Sequence, residues 1–98
     1  MTTVFADGKK VFLNPFMCSM IGNVVVALSK SLKTPRGNRI EFSLNQTDLH
    51  LRVDEQEVPL NLGHAQEIIG NILRGLIVSL KGAEQSKEFR FIHEEDTL

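Results

Sequence analysis

Two stretches of this chain are nearly the same, and that likeness limits its possible folds more than any other feature. Residues 20–33 read MIGNVVVALSKSLK, and residues 68–81 read IIGNILRGLIVSLK. Seven residues recur at one offset of 48, as from Ile21 to Ile69. Unrelated amphipathic helices would share Ile and Leu, but not Gly, Asn, Ser and Lys at fixed positions. The pattern therefore predicts an internal duplication.

The likeness continues on both sides of these stretches. Upstream, at an offset of 47, the matched positions are Asp7, Val11, Leu13 and Asn14 with Asp54, Val58, Leu60 and Asn61. Downstream, RIEF at 39–42 matches EFRF at 88–91 loosely. Each half then reads as strand, turn, strand, helix and strand. We place repeat 1 at about residues 3–45 and repeat 2 at about 50–93, with 94–98 as an acidic tail.

Local signals give the type and limits of the elements. Asn14 and Pro15 are typical of a helix start, and the residue before Pro35 is disfavoured in a helix, so helix one should end near Lys33. Asn61 and Gly82 should cap the second helix. The alternating segments RIEFSL, LHLRV and KEFRFI predict strands, and NQTD predicts a hairpin turn. The expected fold is one α+β domain over residues 1–98, an antiparallel sheet with two helices packed on one face.

The helical period also predicts which helix residues are buried. Leu28 and Leu76 fall at equivalent positions in the apolar stripes, and we expect both to be almost fully buried core anchors. A row of small or polar residues lies beside each stripe: Asn23, Ala27 and Ser31 in one helix, and Asn71, Gly75 and Ser79 in the other. We expect these rows to form the seam between the helices; the alternative is that they face solvent.

Composition excludes several classes of function. The formal net charge of −1 gives no overall attraction to nucleic acid or to an anionic membrane. A single cysteine, Cys18, excludes an internal disulfide and a Cys-rich zinc site. The N-terminus lacks the pattern of a signal peptide, and the longest apolar run, VVVAL, is far shorter than the roughly 20 residues that cross a bilayer. We expect a cytoplasmic protein without membrane contact.

No motif in the sequence carries recognisable chemistry. His50, His64 and His93 lack close metal-ligand spacing, and Cys18 has no accompanying base or second cysteine, so its reactivity stays open. The basic segment KTPRGNR at 33–39 lacks the glycine pattern of a phosphate loop. We therefore assign no catalytic, metal-binding or cofactor-binding residue, and expect neither a cofactor nor enzymatic activity.

Surplus apolar residues on the helices indicate a partner surface. Val26 and Val78 should lie on the sides of the helices that face away from the sheet, and Phe16 and Met20 on another flank. A contiguous apolar group at such positions is typical of an interface, most often of a homodimer. The leading hypothesis is a small non-enzymatic binding or assembly module that contacts a second copy or another protein.

Two other hypotheses remain. The open sheet face should carry Arg39, His50, Arg52 and Arg90, which could bind nucleic acid, although glutamates on the same strands oppose them. This architecture resembles the saddle of the TATA-binding protein family, whose basic face the sequence lacks. The third hypothesis is a small enzyme that uses Cys18 or a histidine in a cleft between the halves. The sequence does not identify the process, the partner or a ligand.

Overall fold

The alternating segments form one antiparallel sheet. The computed structural model describes residues 1–34, 36–46, 48–60, 63–78 and 86–95. Its elements are β1 (Thr2–Ala6), β2 (Lys9–Lys10), α1 (Pro15–Ser31), β3 (Arg39–Leu44), β4 (Leu49–Val53), β5 (Gln56–Val58), α2 (His64–Val78) and β6 (Phe89–Glu94). In the described part of the chain the sheet has six strands in the order β2-β1-β6-β3-β4-β5, and all neighbours are antiparallel. The predicted α+β class is confirmed.

Helix α1 begins and ends where its sequence indicates. The Asn14 side chain accepts a hydrogen bond from the Met17 N–H at 2.8 Å, and Pro15 occupies the first helical position, where its missing N–H costs nothing. At the other end the chain leaves the helix with Lys33 in the left-handed region, at φ 55°. Predictions made for Asn61, for 79–82 and for the last three residues of the tail lie outside the described residues.

The core is built on alternate residues of the four long strands. Phe42 and Phe91 are fully buried and directly opposite each other in neighbouring strands β3 and β6. Val4 and Leu51 flank them on β1 and β4 and are also fully buried. The buried apolar side chains of both helices belong to the same hydrophobic cluster as these strand residues.

The register of the sheet is symmetric about the Phe42–Phe91 pair. An offset of 47 relates β1 to β4, and an offset of 49 relates β3 to β6. With these offsets the pair Val4–Phe91 corresponds to the pair Leu51–Phe42. The same correspondence holds for the other paired residues of β1 with β6 and of β3 with β4. The strand order also reads the same from both edges once equivalent strands are exchanged.

Two turns and two helices follow the same correspondence. Asp7 and Asp54 both have φ 50°, and the Oδ1 atom of each accepts hydrogen bonds from two successive backbone N–H groups, at 2.9 to 3.0 Å. At an offset of 48, the buried residues of α1 match those of α2: Ile21, Gly22, Val25 and Ser29 with Ile69, Gly70, Leu73 and Ile77.

The predicted helix faces are partly wrong. Leu28 and Leu76 are only half-buried, whereas Val25 and Leu73 are the fully buried anchors. In α1 the physical reason is Gly22, where a Cβ would collide with Thr2 Oγ1. Without a side chain, that flank of α1 comes close to its neighbours, so the helix turns the flank of Leu28 away from the centre of the core. Gly70 has no such close neighbour on another element, so this reason does not extend to Leu76.

The small and polar rows do not form a seam. The described members of both rows are exposed, which agrees with the solvent-facing alternative: Asn23, Ala27, Ser31, Asn71 and Gly75. Ser79 lies outside the described residues. Ile72 on α2 is exposed as well.

Candidate interaction surfaces

A cluster of charged side chains occupies the sheet face opposite to the phenylalanine pair. Successive strand residues point to opposite faces, so Glu41 and Arg90 lie on the far side from Phe42 and Phe91. They line a cavity of about 290 Å³ together with Arg39, Arg52 and Glu55. The structure therefore brings together three of the four sheet-face residues that the sequence predicts.

Glu41 is the centre of this arginine cluster, which consists of Arg39, Glu41, Arg52, Glu55 and Arg90. Its side chain is only 9% exposed. Arg90 Nη2 donates to its Oε1 at 3.1 Å, and Arg39 Nη2 lies 3.6 Å from the same oxygen. A buried carboxylate needs such partners, because burial removes it from water. Two guanidinium groups thus compensate one buried negative charge.

The arginines keep binding capacity beyond these pairs. Arg39 Nη1 also bonds Glu55 Oε1 at 3.2 Å, but its Nε is buried and has no partner among the described residues. The Arg52 side chain is exposed and makes no hydrogen bond or ion pair within that part of the chain. Arg90 also lies 5.4 Å from the centre of the Phe5 ring, a cation–π distance. The arginine cluster contains three guanidinium groups and two carboxylates, so one positive charge is not neutralised within it.

His50, the fourth predicted residue of this face, has a different partner. Its Nδ1 atom lies 2.9 Å from Glu57 Oε1. An adjoining cavity of about 490 Å³ is lined by His50, Arg52, Glu57 and Arg90 together with Glu41 and Ser43. The open face therefore alternates cations and carboxylates and does not form a continuous basic strip.

Three of the four residues predicted for an apolar interaction surface are exposed on the helices. Phe16 is 71% exposed and Met20 37% exposed, and Val78 is exposed at the described end of α2. Val26 is half-buried and packs against the core. It lines a cavity with residues 36–38 and Asp54, because it lies on the same flank of α1 as Gly22, the flank that approaches its neighbours closely.

Besides Met1, sequence reasoning missed three exposed large apolar side chains among the residues that the structure describes. Ile68 is 59% exposed, Phe12 is 84% exposed, and Ile72 is exposed beside Ile68 on α2. The repeat contained a signal for Ile68, because Ile68 stands 48 residues after Met20 and is therefore its equivalent. We call Phe16, Met20, Ile68, Ile72 and Val78 the exposed helix set.

Two of the candidate chemical residues, Cys18 and His93, make structural contacts. The half-buried Cys18 thiol donates to the Thr2 carbonyl oxygen at 3.3 Å, and His93 Nδ1 lies 2.9 Å from Thr2 Oγ1. Within the described ranges, no group of three His, Cys, Asp or Glu side chains could hold a metal ion. Neither helix there has the length and apolar character needed to cross a bilayer.

Comparison of the chain with protein-family models, with curated proteins and with solved structures found no match. The two surfaces are therefore the basis for assigning a function.

Proposed function

We propose that this protein is an internally duplicated, non-enzymatic assembly module that binds a second copy of itself through the exposed helix set. The observation that carries the proposal is the exposure of Met20 and Ile68, which occupy equivalent positions on α1 and α2. Each helix thus exposes an apolar side chain to solvent at the equivalent position of its repeat. Another protein of matching apolar surface is the alternative partner.

The duplication and the placement of both helices on one sheet face belong to this proposal. The symmetric register and the matching buried positions of the helices support a duplication. The buried helix residues share one hydrophobic cluster with the strand residues around Phe42 and Phe91, which supports a single helix layer on that face. In that arrangement the outer sides of both helices form one surface of the molecule.

The energetics require several of these residues together. Burial of apolar area contributes about 25 cal/mol per Å², and association must first overcome the loss of translational and rotational freedom. A single exposed side chain such as Met20 is therefore insufficient. A twofold dimer uses each residue of the surface twice, once on each protomer, and so doubles the area that the exposed helix set buries.

The test replaces the equivalent pair in both halves. At physiological ionic strength and up to high micromolar concentration, we expect the wild-type protein to sediment as a dimer whose fraction rises with concentration. Under the same conditions the double variant Met20→Glu with Ile68→Glu should sediment as a monomer with unchanged circular dichroism. The matched control is Ser19→Glu with Asn71→Glu, which adds the same charges at exposed polar positions of the same helices. Wild-type protein that stays monomeric at high micromolar concentration would exclude the proposal.

A second candidate function, binding of nucleic acid, is favoured by the arginine cluster. The Arg52 side chain has no partner among the described residues, and it shares a cavity with Arg39 and Arg90. Contacts of these guanidinium groups with phosphates would make affinity fall steeply with salt. Fluorescence anisotropy of a labelled single-stranded oligonucleotide, with Lys30→Ala as control, should show binding that Arg52→Ala weakens. Binding unaffected by salt or by Arg52→Ala would exclude this function.

The enzyme hypothesis gains no support from the contacts of Cys18. Its thiol donates to a backbone carbonyl, and a carbonyl cannot accept that proton as a general base.

A further inference from the structure

The two edges of the sheet carry opposite charge at equivalent positions. Lys10 on β2 pairs with Phe5, and Glu57 on β5 pairs with Arg52, so the symmetric register makes Lys10 and Glu57 equivalent. Both side chains are exposed and lie on the open face of the sheet. Neighbouring exposed residues have the same difference in charge: Lys9 lies on the β2 edge, and Glu55 lies beside the β5 edge.

Both edge residues also have backbone groups directed away from the sheet. Each edge hairpin has a two-residue turn with positive φ, at Asp7–Gly8 and at Asp54–Glu55, and such turns are closed by a hydrogen-bonded residue pair. Hydrogen-bonded and non-hydrogen-bonded pairs alternate along an antiparallel ladder. The next pair, which contains Lys10 or Glu57, is therefore not hydrogen-bonded. The bond from the Val11 N–H to the Val4 carbonyl, 2.8 Å, agrees with this alternation for β2.

We propose that the β2 edge of one copy pairs with the β5 edge of another, with Lys10 opposite Glu57 of the neighbouring copy. Each residue supplies an outward N–H and an outward C=O, so this pair forms two backbone hydrogen bonds. Because the strands alternate in direction across six positions, β2 and β5 run in opposite directions. A copy displaced sideways along the sheet therefore meets its neighbour in the antiparallel sense, with the same face upward. The side chains of Lys10 and Glu57 then lie on one face within ion-pair reach.

Pairing between identical edges is disfavoured by charge and by a missing donor. Two β2 edges would place lysines together, and two β5 edges would place glutamates together. Two β5 edges would also bring two Pro59 residues, each without an N–H, to one joint, whereas the contact between β2 and β5 contains only one. Charged residues commonly protect sheet edges, and like charges on two approaching edges repel each other. Opposite signs instead select a head-to-tail contact, which extends the sheet from copy to copy.

This contact goes beyond the proposed function, because it uses no residue of the exposed helix set. The experiment is therefore made in the Met20→Glu/Ile68→Glu background, by sedimentation velocity up to millimolar concentration at low ionic strength. The average mass should rise with concentration and fall when salt is added. Either Lys10→Glu or Glu57→Lys alone should abolish the rise, because each places like charges at the joint.

Reversing the charge at both positions tests most directly whether Lys10 and Glu57 meet in the contact. The variant carrying both Lys10→Glu and Glu57→Lys should assemble again, and so should an equimolar mixture of the two single variants. Lys30→Glu, a matched charge change on the exposed side of α1, should leave assembly unchanged. A background protein that stays monomeric, or single variants that assemble as well as the background, would overturn the inference. Either result leaves the helix-mediated dimer intact, since that is judged on wild-type protein against the Met20→Glu/Ile68→Glu variant alone.

Discussion

The two halves of this sheet bury side chains at equivalent positions and differ in the character of their exposed residues. Asp7 and Asp54 make the same pair of backbone hydrogen bonds, and Val25 and Leu73 fill equivalent core positions. On the open face, by contrast, Phe5 is the equivalent of Arg52, and Lys10 is the equivalent of Glu57. Packing restricts the buried positions because a change of volume there is felt throughout the core. The exposed positions are free to differ, and there the two halves present different side chains to solvent.

The largest effect is expected for the phenylalanine pair at the centre of the sheet. Phe42 and Phe91 are equivalent, fully buried and paired with each other. Phe42→Ala and Phe91→Ala should each lower the free energy of unfolding by about 3–5 kcal/mol, and by similar amounts, in urea titrations. The exposed Phe12→Ala should change it by less than about 0.5 kcal/mol. A large loss at only one of the two buried sites would show that the core is not symmetric.

The second test concerns the helix face in the second half. Leu73 is fully buried and Leu76 only half-buried, although they are three residues apart on α2. Leu73→Ala should cost about 2–5 kcal/mol, and Leu76→Ala at least about 1 kcal/mol less. Equal losses in the free energy of unfolding for the two variants, measured in urea, would show that Leu76 is a core residue, as the helical period predicts.

The sequence predicted the strands and helices better than it predicted which of them lie next to each other in the fold. Period-two alternation was enough to find β3, β4 and β6, and to place Arg39, Arg52 and Arg90 on one face, because alternation is a local property. It could not show that β6 lies between β1 and β3, which is what brings Arg90 to Glu41. The prediction that Leu28 is fully buried was wrong for a related reason, since its burial depends on how closely Gly22 lets Thr2 approach α1.

The third test uses the two equivalent glycines, which have different surroundings. A Cβ on Gly22 would collide with Thr2 Oγ1 and lie 3.1 Å from His93 Nδ1, whereas on Gly70 it would meet only the flexible end of Arg74, at 3.3 Å. Gly22→Ala should therefore destabilise the protein by about 1–3 kcal/mol, despite its better helix propensity. Gly70→Ala should be neutral or stabilise by up to about 1 kcal/mol.

A second substitution separates the collision at Gly22 from any other cause. Thr2→Ala removes the colliding oxygen, so Gly22→Ala should cost less in the Thr2→Ala background than in wild type. Thermal unfolding of the four proteins in this cycle gives the coupling. Equal costs in both backgrounds would show that the Thr2 side chain does not limit the approach of α1.

The smallest expected effect is the pH dependence of the first turn. The Asp7 carboxylate accepts hydrogen bonds from the Glu88 and Lys87 backbone N–H groups, and these lower the pKa of Asp7 below its usual 3.8. A lowered folded pKa stabilises the fold above the unfolded value, and that contribution is lost as pH falls below 3.8 and through the folded value. Asp7→Asn should therefore lower the urea midpoint at neutral pH, with a difference from wild type that shrinks as the carboxylate becomes protonated.

The second half provides the comparison for that measurement. Asp54→Asn weakens the equivalent bonds to Asn38 and Arg39, because a neutral amide oxygen is a weaker acceptor than a carboxylate. At neutral pH both single variants should unfold at lower urea concentration than wild type. The double variant should lose the sum of the two effects, since the turns share no hydrogen-bond partner. A wild-type midpoint for Asp7→Asn across the whole pH range would mean that this carboxylate does not hold β1 to the start of β6.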